Sequence, residues 1–258
     1  MITPFRLAFV ILLAAFGLSL GPPADAAEPS DPKAIAIADQ VMEAMGGREA
    51  WDNTRYIRFT FFGFRTHHWD KWTGRYRVEW KDRKSGDAHV VLMNLNTQEG
   101  DAFVNGEKVS GDALADQLRR ATGAWINDTY WLLMPYKLQD PGVSLTYAGE
   151  EVMDGATYDK LHLSFEQVGR TPGDEYWAFI NRETHLMDQW QFLLQPRGEE
   201  GKRGEGVYKW NAWQKYGNIM ISSERQGPDG QARELQNIAV FDMLSDDVFS
   251  SPEPIAEP

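Results

Sequence analysis

From Thr54 onward the chain is written mostly in a period of two, with apolar side chains at alternate positions. The clearest stretch is Arg55–Lys81. There Ile57, Phe59 and Phe61 alternate with Arg58 and Thr60, and Tyr76, Val78 and Trp80 alternate with Arg75, Arg77 and Glu79. Successive side chains of a strand point to opposite faces, so this spacing predicts an aromatic inner face and a wet, charged outer one. Thr73-Gly74 supplies a turn, because glycine tolerates positive φ, and the stretch reads as two long antiparallel strands. Further strands are predicted over 88–95 and 98–104, with Asn105-Gly106 as a hairpin turn. The alternation resumes at Val143–Tyr147 and runs cleanly through Leu161, Leu163 and Phe165. It continues over 176–180, 186–194, 207–213, 218–224 and 234–241, punctuated by Asp154-Gly155 and Asp229-Gly230. The total is about eleven strands.

Two segments keep helical spacing instead. Ahead of the strands, Ile37, Val41 and Met45 recur with Ala34, Ala38 and Met42 beside them. Asp31-Pro32 is an N-cap followed by proline at the first helical position, and Gly46-Gly47 closes the helix. A further short turn carries Trp51. Midway, Ala113–Ala121 reads as a polar-faced helix. It is followed by Trp125, Tyr130, Trp131, Leu132, Leu133 and Met134, an apolar patch that ends at Pro135. Together these predict an α+β single domain over 27–258: a large, curved antiparallel sheet with an N-terminal helix and a helical insertion on its concave face. The C-terminal SSPEPIAEP is expected to fray.

Residues 1–26 read as a signal peptide. Arg6 precedes the apolar run Leu7–Leu20, and Ala24-Asp25-Ala26 is a small-x-small cleavage pattern. That run is short for a membrane span of about 20 residues, so cleavage near Ala27 is expected rather than an uncleaved anchor. The chain has no cysteine, which rules out disulfides and an acylated cysteine at the cleavage site. The expected location is periplasmic or secreted. A net charge of −12 argues against nucleic acid and against anionic membrane surfaces.

Candidate chemistry is sparse. On a strand, His68 and Asp70 share one side while His67 shares the other with Trp69, so His67-His68-Trp69-Asp70 cannot gather three ligands by itself. His89, His162 and His185 have no recognisable ligand spacing. There is no Gly-x-Ser-x-Gly elbow and no His-Glu-x-x-His motif. Arg58, Arg75 and Arg77 read as a solvated outer stripe paired with glutamates such as Glu79. No catalytic residue, metal or cofactor is assigned. What rises above background is apolar: ten tryptophans, most of them on predicted strands or in the insertion. A curved sheet has more inner surface than two helices fill, and large aromatics lining the remainder would make an apolar pocket.

The stretches His67–Glu79 (HHWDKWTGRYRVE), Tyr130–Gly142 (YWLLMPYKLQDPG) and Tyr158–Leu163 (YDKLHL) resemble an uncharacterised, outer-membrane lipoprotein-sorting-like branch of the periplasmic lipoprotein carriers (LolA/LolB-like). The order of elements across the mature chain resembles that superfamily too. The resemblance implies a half-open barrel closed by helices around a cavity for acyl chains, and no chemistry. The expected function is therefore a non-enzymatic exported protein holding a lipid, a lipoprotein acyl chain or another apolar ligand. A transient envelope protein partner fits the same expectation. The expected inward-facing residues are Phe59, Phe61, Tyr76, Val78, Trp80, Leu161, Leu163, Trp190 and Phe192. Trp125, Trp131, Leu133 and Met134 are expected in a movable lid, with Gly123 and Pro135–Gly142 as hinges and Tyr76, Val78 and Trp80 as its floor. The alternatives are an interaction or sensor protein with a self-filled core, or a metal-dependent hydrolase built on His68 and Asp70.

Overall fold

The structure, a computed structural model, describes residues 30–165, 171, 173–196 and 201–255. The expected signal peptide and residues 197–200, between the strands expected at 186–194 and 207–213, lie outside the described residues. Helix α1 (Pro32–Ala44) starts as its sequence dictates, with the Asp31 carboxylate accepting from the Lys33 amide at 2.8 Å. Ala34, Ile37, Ala38, Val41 and Met42 form its buried stripe. The helix stops at Gly46, whose φ of +116° suits glycine, and Gly47–Asn53 forms the short helix α2 carrying Trp51.

Fourteen strands follow among the described residues, in two antiparallel sheets of seven. The expected single sheet of about eleven strands is corrected accordingly. The first sheet contains β1 (Tyr56–Phe61), β2 (Arg65–Asp70), β3 (Arg75–Lys81), β4 (Ala88–Asn94), β5 (Gly100–Val104) and β6 (Glu107–Lys108). The second contains β7 (Val143–Met153), β8 (Ala156–Phe165), β9 (Glu175–Asn181), β10 (Met187–Leu193), β11 (Glu205–Tyr216), β12 (Ile219–Gln226) and β13 (Ala232–Glu234). Only Leu235 separates β13 from β14 (Gln236–Phe241), which crosses to the first sheet and pairs with β1. Neither sheet closes on itself.

The opening stretch is three strands rather than two. Phe62 and Gly63 both take positive φ, 46° and 69°, and the Phe64 amide bonds the Phe61 carbonyl at 2.9 Å. This tight turn was hidden by its aromatic residue, since phenylalanine is not a usual turn former.

Between β6 and β7 runs α3 (Gly111–Leu133), 23 residues without a break, followed by a 3-10 turn over Met134–Lys137. Gly123, expected as a hinge, lies inside this continuous helix, and the expected lid is its second half with the start of the turn that follows. The first half of α3 covers β4 and β5, where Ala121, Leu114 and Leu118 meet Tyr76, Val78, Trp80, Val91 and Met93. The second half joins the main core, in which Leu132, Leu133 and Met134 pack with α1, with Ile57 and Phe59, and with the inner face of the second sheet. Tyr136 knots three elements together. Its hydroxyl lies 2.9 Å from both the Met45 and Met220 carbonyls, and its ring stacks on Trp51 at 4.3 Å. Among the described residues no helix is long and apolar enough to cross a membrane.

The outer face of the first sheet is not wet throughout. A short helix, α4 (Asp247–Ser250), and the chain beyond it lie across β3 and β4. Arg77 is buried beneath them, paired with Glu79 and donating to the Val248, Ser251 and Glu253 carbonyls. These bonds fix residues 251–253, which the sequence reading expected to fray. Arg75 bonds Asp70 and Asp246.

Candidate functional site

A cavity of about 760 Å³ opens between the second half of α3 and the inner face of β8, β9 and β10. On the helix, Ile126 and Tyr130 stand one turn apart on the same face, flanked by Trp125 and Trp131. On the sheet, Phe165, Tyr176, Trp190, Phe192 and Leu194 complete the wall. The β9–β10 register sets Phe192 opposite Tyr176 and Trp190 opposite Ala178, so the large rings of both strands project to one side. Trp131 meets Trp190 edge-to-face at 4.8 Å and Tyr208 at 4.9 Å, and Tyr130 meets Tyr176 at 5.1 Å. Such pairs add about 0.5–1.5 kcal/mol each beyond the area they bury, so the wall is held in shape before any ligand arrives.

Polar groups sit at one end. Lys137 is tied to Asp140 at 2.6 Å, and Asp174 accepts from the Gln195 amide at 2.7 Å. Inside the wall, three donors have no hydrogen-bond partner among the described residues: the Trp125 and Trp190 indole N–H groups and the Tyr130 hydroxyl. Burial, with Tyr176, Asp140 and Asp174 nearby, pushes the Tyr130 phenol well above its ordinary value, so it stays protonated.

Two buried polar devices fix α3 over the cavity. Arg65 on β2 makes two bonds to Asp128, at 2.7 and 2.8 Å. His67 lies between Asp128 (3.0 Å from Nε2) and the Tyr76 hydroxyl (2.7 Å from Nδ1). Burial outweighs the neighbouring carboxylate and lowers the imidazole, which is therefore neutral. An ionised carboxylate only accepts, which assigns the proton to Nε2 and lets Tyr76 donate to Nδ1. Burial alone would raise the Asp128 carboxyl, but the bonds from His67 and Arg65 bring it below the ordinary range. Less than a turn further on, near the helix C-terminus, the buried Arg225 of β12 donates to the Trp131 carbonyl, with its guanidinium 3.4 Å above the Trp210 ring. A cation at a helix C-terminus is favourable there, because the last carbonyls carry partial negative charge.

A smaller cleft of about 290 Å³ lies beside the first, bounded by Phe64, Arg65, Trp80, Arg120, Gly123, Ala124 and Asn127.

Of the residues expected to face a ligand, Trp125, Trp131, Trp190 and Phe192 line the larger cavity, and Trp80 lines the smaller cleft. Phe59, Tyr76, Val78, Leu133, Met134, Leu161 and Leu163 are buried in packed core instead, and Phe61 is half-buried against it. Trp125 packs against Tyr76, Val78 and Trp80, the floor expected for the lid, whereas Trp131 rests on the second sheet. The expected lid floor is corrected to that extent. The sequence reading missed Ile126, Val143, Phe165, Tyr176 and Leu194 as wall residues, and it named Tyr130 only as part of an apolar patch. Strand parity with Ala178 and Ile180 would have found Tyr176.

Nothing converges on the hydrolase alternative. His68 faces away from the cavity, where burial and then Arg77 and Arg58 lower it to about 3. Asp70 is held by Arg55 and Arg75. Among the described residues no three metal-ligating side chains form a group.

No family model matches the chain, and no curated protein does. Similar solved structures include a DUF1329 family protein from Desulfovibrio piger, 13% identical, covering 85% of this chain and 98% of that one at a TM-score of 0.45. A LolA superfamily protein from Nitrosomonas europaea is 12% identical over 82% and 96% of the two chains, at 0.41. An outer-membrane lipoprotein-sorting protein domain from Vibrio parahaemolyticus is 7% identical over 84% and 96%, at 0.42. The superfamily that the sequence resembles is thus represented among its structural neighbours. At such identities the likeness says nothing of a ligand.

Proposed function

We propose that the chain is an exported, non-enzymatic binding protein that holds a lipid or another acyl-chain ligand in the cavity between α3 and β8–β10. The observation that carries this reading is the wall itself. A volume of about 760 Å³ falls within the range of about 300–1,000 Å³ usual for small-ligand sites, and aromatic and aliphatic side chains make most of its surface. Each methylene moved from water into such a space is worth about 0.8 kcal/mol, so a long alkyl chain has ample driving force. The signal peptide expected at residues 1–26 would carry this activity to the periplasm or outside the cell.

The test is mass spectrometry of organic extracts from the purified mature protein, with titration of a fluorescent hexadecanoyl probe. The expected result is a co-purifying lipid, or saturable probe binding that Trp131→Ser weakens. A protein that carries no lipid and binds no probe would have a self-filled core, and the reading would fall.

A further inference from the structure

The larger cavity and the smaller cleft share two wall residues, Gly123 and Asn127, one helical turn apart on α3. We infer that the two are one bipartite site and that its ligand is an anionic amphiphile, with its chain among the aromatics and its head among the arginines. This rests on the binding role proposed above and adds the class of head group.

Three observations converge on it. The first is charge. Among the described residues, Arg83 has no carboxylate partner and stacks over Phe64, 4.7 Å from the ring centre. Arg120 stacks over Trp80 at 5.3 Å, and its acidic neighbour Asp82 is 4.0 Å away. Arg65 stacks on Phe64 at 4.5 Å while bonded to Asp128. A chain of net charge −12 thus lines this cleft with two arginines, Arg65 and Arg120, and holds a third, Arg83, over its Phe64. Guanidinium groups held flat on aromatic rings are placed to bind a carboxylate or phosphate through paired N–H groups.

The second is the contrast between the two ends. Away from the cleft, the cavity is bordered by Asp140 and Asp174, and its lysine is already paired with Asp140. An anionic head would be repelled at that end and attracted at the other.

The third is Gly123. Glycine weakens a helix interior relative to alanine, yet here it lies in the middle of a 23-residue helix, on the strip that both spaces share. Without a side chain, Gly123 adds no bulk to the strip that borders both spaces.

The experiment compares three ligands of equal chain length, hexadecanoate, 1-hexadecanol and hexadecyltrimethylammonium, against the mature protein at low salt. Acetate and inorganic phosphate serve as heads without a chain. Hexadecanoate is expected to bind roughly tenfold tighter than hexadecanol, about the effect of one charge-assisted hydrogen bond, and the cation weakest. Arg120→Gln, a half-exposed position, should bring hexadecanoate to within about twofold of hexadecanol and leave hexadecanol unchanged. Added salt should weaken hexadecanoate alone. Equal binding of acid and alcohol, or equal losses in the variant, overturns the inference and leaves the binding role standing. Acetate or phosphate that binds without competing with hexadecanol makes the cleft a separate anion site, which also overturns it. Failure of all three ligands defeats the binding role and this inference together.

Discussion

The Asp128 carboxylate is the point at which α3 is fastened to the first sheet, and Asp128→Ala measures how firmly. The side chain is fully buried, and its loss strands two bonds from Arg65, one from His67 and one from the Asn127 side-chain amide. Breaking a buried ion pair costs about 3–5 kcal/mol, because the surviving charge keeps its desolvation penalty without its partner. Arg65 is about one-fifth exposed and can recover some hydration, so the lower end, about 3 kcal/mol, is expected. For a domain of this size each kcal/mol moves Tm by about 2–4 °C, which predicts a fall of about 6–12 °C. Urea unfolding at neutral pH gives the free energy directly. Asp128→Asn, which keeps one acceptor oxygen, should fall between wild type and alanine. The two substitutions should also differ in acid from the parent. The native carboxyl lies below its unfolded value, so its contribution is complete above about pH 4 and is lost as pH falls through the native value. A variant within 1 kcal/mol of wild type would show that Arg65 and His67 find other partners and that α3 is not held here.

Gly46→Ala should cost about 1–3 kcal/mol in urea unfolding, because φ is +116° and the added carbon would collide with the Asn218 carbonyl oxygen; an unchanged midpoint refutes the close approach. Tyr130→Phe removes a buried hydroxyl without a partner, so stability should stay level or rise by up to about 1 kcal/mol, and a clear loss would reveal a bond not evident here. His68 is lowered to about 3 by burial and by Arg77 and Arg58, so between about pH 6.5 and 3 the unfolded chain holds the extra proton and stability falls with pH. At pH 5 this amounts to a loss of about 2 kcal/mol that His68→Gln should largely abolish, and equal pH slopes in the two proteins would refute it.

Strand positions were legible where side chains alternate against water, as in Leu161, Leu163 and Phe165, and where turns carry their usual residues, as at Asn105-Gly106 and Asp154-Gly155. The Phe62-Gly63 turn was not legible, because its first residue looks like more strand. Alternation also identifies which residues turn inward without saying which of them meet another side chain and which meet empty space. Phe59 and Trp190 have the same signature, yet one is sealed beneath α1 and α3 and the other stands beside a cavity. That distinction is set by where α3 lies, and α3 is placed by Asp128 and Arg225, whose partners are 61 and 94 residues away in sequence. The His67-His68-Trp69-Asp70 stretch drew notice for chemistry, and parity correctly separated its two faces. The use of His67 as a fastening for a helix depended on Asp128, which no local pattern linked to it.

The pairing of β1 with β14 sets the order in which this molecule can be completed. Tyr56 lies opposite Phe241, so the first strand to emerge acquires its outer neighbour only when nearly all of the chain has arrived. Until then β1 is an open edge bearing Ile57, Phe59 and Phe61, a template for pairing with any other extended chain. Contacts so distant in sequence also slow folding, since the intervening loop must be ordered before they repay it. A chain truncated before Gln236 would retain most of its core-forming residues and still present a sticky, permanently unfinished margin, making the last strand a seal against self-association.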